Sequence, residues 1–220
     1  MTNTAKAFIF DLNGTMIDDM EYHIRAWHHV LNNQLGADMD WHEVKSHMYG
    51  KNSELLIRVF GPDRFSTEEM DQVSLEKEKR YQEAFAPHLA LIAGLPEFLA
   101  RAEACGIAMA IGSAAIPFNI DFVLDRLDIR KYFKAVVSAD DVKQSKPDPE
   151  TYLKAATLLG VEPAACIVFE DAPKGVEAAQ RAGMRSVVLT TMHNKQDFGA
   201  YSHVLHFVKD YTDPVLQEFF

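Results

Sequence analysis

Residues 7–18 read AFIFDLNGTMID, and this stretch decides the fold. Its first four residues form an uninterrupted apolar run, which predicts a strand buried on both faces of a parallel sheet. Asp11 follows at once, and Asn13–Gly14 is a pair typical of tight turns. We therefore expect a strand that ends at Phe10 and presents Asp11 at its carboxyl end.

Four further runs of the same kind follow along the chain, and helical patterns separate them. The predicted strands are IAMAI (107–111), KAVVS (134–138), CIVFE (166–170) and SVVLT (186–190). The predicted helices are Leu95–Ala104, Asn119–Leu127, Glu150–Leu159 and Lys174–Ala182. Because strands alternate with helices, the sequence predicts an α/β fold with a parallel sheet.

Residues 19–86 differ from the rest, because they contain no strand-like run. Apolar residues from Tyr22 to Leu31 fall at helical spacing, and Glu68 to Phe85 is a second, longer helical pattern. We expect a helical cap domain at 19–86 and an α/β core domain at 1–18 and 87–220. A small helical domain inserted after the first strand is placed to act as a lid.

The composition limits the classes of partner. The 220 residues include 22 Lys and Arg against 32 Asp and Glu, a formal net charge of −10. This balance argues against nucleic acid or an anionic membrane as a partner and leaves room for one small phosphorylated ligand. No signal-peptide pattern and no apolar run of about 18 residues is present, so we expect a cytoplasmic protein, and the size is compatible with a monomer.

Polar residues cluster where the predicted strands end. Three strands end in or just before such residues, which are Asp11, Ser113 and the pair Glu170–Asp171. Lys146 lies in the loop after a fourth strand. Ligands of open parallel sheets bind at the carboxyl ends of the strands. A carboxylate can attack phosphorus, a lysine and Mg²⁺ held by carboxylates can screen phosphate charge, and a serine can donate hydrogen bonds. The pattern therefore indicates phosphoryl transfer.

Four segments carry a resemblance to a known family. FDLNGTMID (10–18), IGSAA (111–115), KPDPETY (146–152) and VFEDAPKGVEAAQRAG (168–183) resemble, in order, the four motifs of the haloacid dehalogenase superfamily. EYHIRAWHHVL (21–31) resembles the start of the cap in its β-phosphoglucomutase-like subgroup. The resemblance implies a Rossmann-like core, an inserted α-helical cap and Mg²⁺-dependent phosphoryl transfer through an aspartyl-phosphate.

The resemblance also implies roles for single residues. Asp11 would be the nucleophile, and Lys146 would pair with Asp11 and with the phosphate. Ser113 and the main-chain amide of Ala114 would bind the transferring phosphoryl group.

The implied metal ligands are Asp11, Glu170, Asp171 and the main-chain carbonyl of residue 13. The family has an aspartate at position 13 that also acts as general acid and base, and this chain has Asn13. An amide cannot shuttle a proton at neutral pH, and losing a positioned acid/base typically costs roughly 10²–10⁴-fold in rate. Three explanations stay open: an engineered variant, a natural slow enzyme, or a pseudoenzyme that binds a phosphorylated ligand.

Two residues of the first cap helix are further candidates. His23 matches a histidine of the subgroup that is thought to steer the acid/base residue and the lid, and the alternative is a packed surface histidine. Trp27 follows one helical turn later, where it would contact either the substrate or the core of the cap.

The cap loop around Gly50 bears on the choice between two reactions. Mutases of the subgroup have a lysine before this glycine and an arginine three residues after it, and here Tyr49 and Ser53 take those positions. Lys51 and Arg58 lie nearby and are possible substitutes. Because a grip for a second phosphate is not evident, we favour hydrolysis of a small phosphomonoester, such as a sugar phosphate, over mutase chemistry, which remains the alternative.

Overall fold

The computed structural model describes residues 5–199 and 201–220. The chain forms two compact units. The core unit comprises the described residues up to Asp18 and from Ala90 onward, and the helical unit comprises Asp19–Leu89. Their assignment as a catalytic core and a cap stays a prediction. Within the described residues, no helix combines the length and the apolar character that a membrane span requires.

The core unit is built on a six-stranded parallel sheet with the strand order β3-β2-β1-β4-β5-β6. The strands are β1 (Ala7–Phe10), β2 (Ala108–Gly112), β3 (Ala135–Val137), β4 (Cys166–Glu170), β5 (Arg185–Leu189) and β6 (Val204–Val208). The predicted α/β fold is thus confirmed. The five predicted strands are present within one residue of their expected bounds, and β6, at the sheet edge, was not predicted.

The helical unit contains four α-helices. They are α1 (Met20–His29), α2 (Trp41–His47), α3 (Asn52–Phe60) and α4 (Thr67–Phe85), and a π-helical segment, Val30–Gln34, continues α1. A reciprocal capping box at Ser66 and Glu69 satisfies main-chain N–H groups where α4 begins. Helix α4 packs against α1 and α3.

Among the described residues, four α-helices flank the sheet of the core unit: α5 (Leu95–Ala104), α6 (Pro117–Arg126), α7 (Glu150–Leu159) and α8 (Pro173–Arg181). Successive side chains of β1 point to opposite faces of the sheet. Phe8 and Phe10 pack in an aromatic cluster with Phe98 and Phe169, and Ala7 and Ile9 pack in the cluster that includes residues of α7. Because β1 is buried on both faces, its carboxyl end is held rigidly at the centre of the sheet.

Candidate active site at the carboxyl edge of the sheet

The predicted site residues begin where the central strands end. The N–H of Asp11 donates to the carbonyl of Phe169 at 2.9 Å, and the N–H of Ser113 donates to the carbonyl of Val137 at 2.9 Å. Each residue therefore continues its strand by one position. Strand β1 lies between β2 and β4, where the chain order reverses, and in open α/β sheets such a switch point is where ligands bind.

Lys146 joins two carboxylates in a buried cluster. Its Nζ donates to Asp11 Oδ1 at 2.6 Å and to Glu170 Oε1 at 2.8 Å. All three residues are buried. Burial alone would lower the pKa of Lys146, but the charges and hydrogen bonds of Asp11 and Glu170 outweigh it and raise the pKa above its ordinary value. The site therefore holds a permanent positive charge against Asp11.

Glu170, the last residue of β4, accepts four hydrogen bonds. Oε1 accepts from Lys146 Nζ and from the hydroxyl of Tyr152, and Oε2 accepts from the main-chain N–H groups of Asp171 and Ala172, each at 2.8 Å. Burial, and then the charges of Glu170 and Asp11, raise the pKa of Tyr152 well above its ordinary value, so the phenol is a neutral donor. This carboxylate is held on both sides.

Asp171 lies against the turn that follows β1. Thr15 Oγ1 donates to Asp171 Oδ1 at 3.4 Å. Gly14 has a φ of +73°, and a Cβ atom there would lie 2.2 Å from Asp171 Oδ2, so only glycine fits beside this carboxylate. Asn13 is half-buried in the same turn, where the N–H of Gly14 donates to the carbonyl of Ile17 at 2.8 Å.

The carboxylates of Asp11, Glu170 and Asp171 form a group that could hold a metal ion. One oxygen atom from each lies within 4.8 Å of the other two, and all three residues are buried. Carboxylate oxygens are ligands that Mg²⁺ prefers. The donor set therefore fits the cation that the sequence predicts.

The structure thus brings together Asp11, Lys146, Glu170 and Asp171, which the sequence placed at one sheet edge. Ser113 and Ala114 lie at the end of the neighbouring strand β2, where Ser113 Oγ accepts a hydrogen bond from the N–H of Ala115 at 3.1 Å. Their contacts with phosphate stay a prediction.

The predicted cap residues all lie in the helical unit. His23 is buried, with Nδ1 2.6 Å from Lys77 Nζ, so it packs inside the helical unit, and its steering role stays a prediction. Trp27 is also buried. Gly50 has a φ of +73°, and Lys51 follows it, with its N–H donating to Glu54 Oε2 at 3.0 Å as α3 begins.

Arg58 is engaged inside the cap loop. Its guanidinium donates to the main-chain carbonyls of His47, at 2.7 Å, and of Tyr49, and it lies 3.8 Å from the centre of the Tyr49 ring. These contacts use the guanidinium to order the loop. Fewer of its N–H groups are then left to bind a second phosphate in place of the mutase arginine.

Two residues of the site were missed at the sequence level. Tyr152 lies within the segment KPDPETY that carried the resemblance, but its spacing in α7 marks it only as a core residue. Gly175, in the first turn of α8, lies so close to Glu170 that a Cβ atom would be 1.6 Å from Oε1. It lies within VFEDAPKGVEAAQRAG (168–183), which carried the resemblance, but nothing in that segment gave this glycine a role.

Known proteins are similar to this chain in both sequence and fold. The profile of the family described as haloacid dehalogenase-like hydrolase matches residues 8–189. The β-phosphoglucomutase of Bacillus subtilis (strain 168) is 33% identical over 187 residues, which cover 83% of this chain and 82% of that protein. The fructose-1-phosphate phosphatase of Escherichia coli (strain K12) is 32% identical over 184 residues, which cover 81% and 93%.

A solved structure of a similar protein has the same fold. The β-phosphoglucomutase of Clostridium difficile has a TM-score of 0.82 and 27% identity, over 98% of this chain and 97% of that chain. The family match spans most of the chain and includes every residue of the buried cluster. The chain therefore belongs to the haloacid dehalogenase-like hydrolase family of enzymes.

Proposed function

We propose that this chain is a Mg²⁺-dependent phosphatase that acts on a small phosphomonoester, a sugar phosphate or a similar metabolite. The observation that carries the proposal is the buried contact between Lys146 Nζ and Asp11 Oδ1, beside the carboxylates of Glu170 and Asp171. A carboxylate that is held against a permanent positive charge at a sheet edge suits attack on phosphorus. The predicted monomeric state and cytoplasmic location are part of the same proposal.

In the proposed reaction Asp11 attacks phosphorus in line with the leaving oxygen. The bond from the Asp11 carboxylate to phosphorus forms while the ester bond of the substrate breaks. Lys146 offsets negative charge on the carboxylate and on the phosphoryl oxygens. Ser113 and the N–H of Ala114 donate hydrogen bonds to those oxygens. Water then attacks phosphorus, which releases phosphate and restores Asp11.

The candidate ligands of Mg²⁺ are Asp11, Glu170 and Asp171, with the main-chain carbonyl of Asn13. The three carboxylates support this assignment because they are buried, converge, and offer only oxygen donors. When bound, the cation would supply positive charge that stabilises the phosphoryl oxygens.

Asn13 is the residue that we expect to limit the rate. The leaving alkoxide needs a proton, and the attacking water must lose one, and an amide serves neither need at neutral pH. We expect this loss to slow both steps by roughly 10²–10⁴-fold for ordinary alkyl phosphates. Esters with good leaving groups need no proton for the first step and are expected to lose less.

The substrate class is proposed from the relatives and from the cap loop. One relative is named a fructose-1-phosphate phosphatase and another a β-phosphoglucomutase. The contacts of Arg58 with His47 and Tyr49 support a substrate with one phosphate, because a bisphosphate needs a second strong grip. We propose that His23, Trp27, Gly50 and Lys51 contribute to substrate recognition. Mutase chemistry and non-catalytic binding remain the alternatives.

A pre-steady-state time course with 4-nitrophenyl phosphate and Mg²⁺ tests the proposal. Three chains are compared: the unsubstituted chain, Asn13→Asp, and Asp11→Asn as the control that lacks the nucleophile. We expect about one nitrophenolate per chain in a fast burst, followed by slow turnover, because Asn13 limits breakdown of the aspartyl-phosphate. Asn13→Asp should keep the burst and raise steady turnover roughly 10²-fold or more, and Asp11→Asn should show neither phase.

The alternatives give different results. No burst and no turnover in either the unsubstituted chain or Asn13→Asp would contradict the phosphatase proposal. Tight binding of sugar phosphates without turnover in Asn13→Asp would then favour the non-catalytic binder. Isomerisation of a sugar phosphate that outpaces phosphate release would favour the mutase.

A further inference from the structure

Tyr152 is a buried polar residue that the proposed reaction does not use. It lies in the first turn of α7 and is fully buried. Its ring packs so closely against Gly112 that a Cβ atom there would be 3.1 Å from the ring. Its hydroxyl points away from this packing to Glu170 Oε1, at 2.8 Å. The Tyr152 hydroxyl therefore donates to a carboxylate of the candidate active site from inside the core.

Tyr152 also contacts Lys146. The Lys146 Nζ atom lies 4.7 Å from the centre of the Tyr152 ring, within the range of a cation–π interaction. The same Nζ atom shares Glu170 Oε1 with the Tyr152 hydroxyl. The ring of Tyr152 therefore contacts Lys146, and its hydroxyl contacts Glu170, which are the two partners of one ion pair.

The hydrogen bonds of Glu170 leave its carboxylate no freedom to turn. An ionised carboxylate has about four acceptor positions, and here Lys146, Tyr152 and the N–H groups of Asp171 and Ala172 use four. Four donors therefore hold the Glu170 carboxylate in one orientation.

We propose that Tyr152 is a positioning residue, which fixes Glu170 Oε1 so that Lys146 is held at Asp11. The inference rests on the proposed function, because Asp11 and Lys146 are the reacting pair. Without the hydroxyl, Glu170 Oε1 keeps one donor, Lys146, and attracts it more strongly. The ammonium then moves toward Glu170 and away from Asp11 Oδ1. Phosphoryl transfer slows, whereas binding of substrate and of the metal ion changes little.

The variant that tests this is Tyr152→Phe, because it removes the hydroxyl and keeps the ring against Gly112 and Lys146. Tyr211→Phe is the matched control. Tyr211 is a buried tyrosine of the same unit whose hydroxyl donates to a main-chain carbonyl, that of Thr15, at 3.1 Å. Both variants lose one buried hydrogen bond, so a general loss of stability should affect them alike.

Burst kinetics with 4-nitrophenyl phosphate give the first measurement. We expect the burst rate constant of Tyr152→Phe to fall roughly 10–100-fold, the range typical of partners that orient active-site ligands. KM and the equilibrium affinity for Mn²⁺, measured by electron paramagnetic resonance, should stay within about 2-fold, as expected when only the transition state is affected. Equal losses in Tyr211→Phe, or a rise in KM that accounts for the loss, would overturn the inference.

A double-mutant cycle tests the route through Glu170. If Tyr152 acts on Lys146 through this carboxylate, Tyr152→Phe should have no further effect on the burst in a Glu170→Gln background. Additive losses would contradict that route.

A crystal structure of Tyr152→Phe decides the inference without any turnover. We expect the distance from Lys146 Nζ to Asp11 Oδ1 to exceed hydrogen-bond length in Tyr152→Phe. In Tyr211→Phe the same distance should stay within hydrogen-bond length. An unchanged Lys146–Asp11 contact would overturn the inference, even if the enzyme hydrolyses phosphate esters. If the unsubstituted chain gives no burst, that result counts against the proposed function instead, and the crystal structure still decides the role of Tyr152.

Discussion

Lys77 Nζ lies 2.6 Å from His23 Nδ1 inside the helical unit, and both side chains are buried. Lys77 also donates to both carboxylate oxygens of Glu78, at 3.0 Å each. On the other side of the His23 ring, Nε2 lies 3.2 Å from Asp19 Oδ2. Burial lowers the pKa of Lys77, and the charges of Glu78 and Asp19 oppose that shift. The buried charges of the helical unit therefore depend on one another.

Replacing Lys77 with methionine should destabilise the helical unit strongly. The change leaves the charge of Glu78 buried with Asn52 Nδ2, at 2.7 Å, as a remaining donor. Breaking a buried ion pair from one side costs about 3–5 kcal/mol. Urea unfolding followed by tryptophan fluorescence measures this directly, because both tryptophans of the chain, Trp27 and Trp41, lie in the helical unit.

The matched control is Lys77→Met combined with Glu78→Gln. It removes both charges, so most of the lost free energy of unfolding should return. If the double variant is as unstable as Lys77→Met alone, the loss comes from packing around the lysine stem and not from an uncompensated charge.

This cluster also marks a limit of sequence analysis. Lys77 lies in SLEKEKRY (74–81), where alternating charges have the pattern of a solvated helix face. Only the packing of α4 against α1 shows that Lys77 and Glu78 are buried. Asp19 stands at the N-cap position of α1, but its side chain forms no cap bond, and its carboxylate accepts the hydroxyl of Tyr81 instead.

The core unit was more predictable, for a physical reason. Strands buried on both faces need continuous apolar runs, and AFIF (7–10) and CIVFE (166–170) match their strands residue for residue. Strand β6 lies at the sheet edge and is only partly buried, so its sequence VLHFV tolerates His206 and gave a weaker signal. Tyr152 reaches Glu170 through tertiary packing, which no local pattern encodes.

Gly175→Ala should abolish most of the activity without unfolding the protein. An alanine Cβ would lie 1.6 Å from Glu170 Oε1, so the carboxylate must leave its place and take Lys146 with it. A displacement of about 1 Å in an active site can cost roughly 10²-fold in rate. Steady-state hydrolysis of 4-nitrophenyl phosphate measures the loss, and circular dichroism confirms the fold.

Lys174→Ala, one residue earlier in α8, is the control for Gly175→Ala. The Lys174 side chain is half-exposed and has a long, 4.0 Å contact with Glu177, so its loss should leave activity unchanged. Equal activity in Gly175→Ala and Lys174→Ala would mean that Glu170 can adopt another position without harm.

The two thiols of the chain should react at very different rates. Cys105 is exposed, whereas Cys166 lies in β4, and burial raises its pKa to about 11. The thiolate is the reactive form, so Cys166 should be inert in the folded protein. Titration with Ellman's reagent should release one equivalent of thionitrobenzoate quickly, and a second only in denaturant. Fast release of two equivalents from the folded chain, or of one from Cys105→Ser, would contradict this expectation.

Mg²⁺ should stabilise the protein in the absence of any substrate. The carboxylates of Asp11, Glu170 and Asp171 converge within 4.8 Å, and a cation bound there adds about 2.7 kcal/mol when its concentration is 100-fold above Kd. Thermal unfolding followed by circular dichroism, with and without Mg²⁺, gives the shift in Tm. Asp171→Asn keeps the size of the side chain beside Gly14 and removes one charge, so the shift should largely vanish. Asp140→Asn removes an exposed carboxylate of the same unit and should keep it. A shift that is equal in both variants would mean that Mg²⁺ binds elsewhere on this acidic chain.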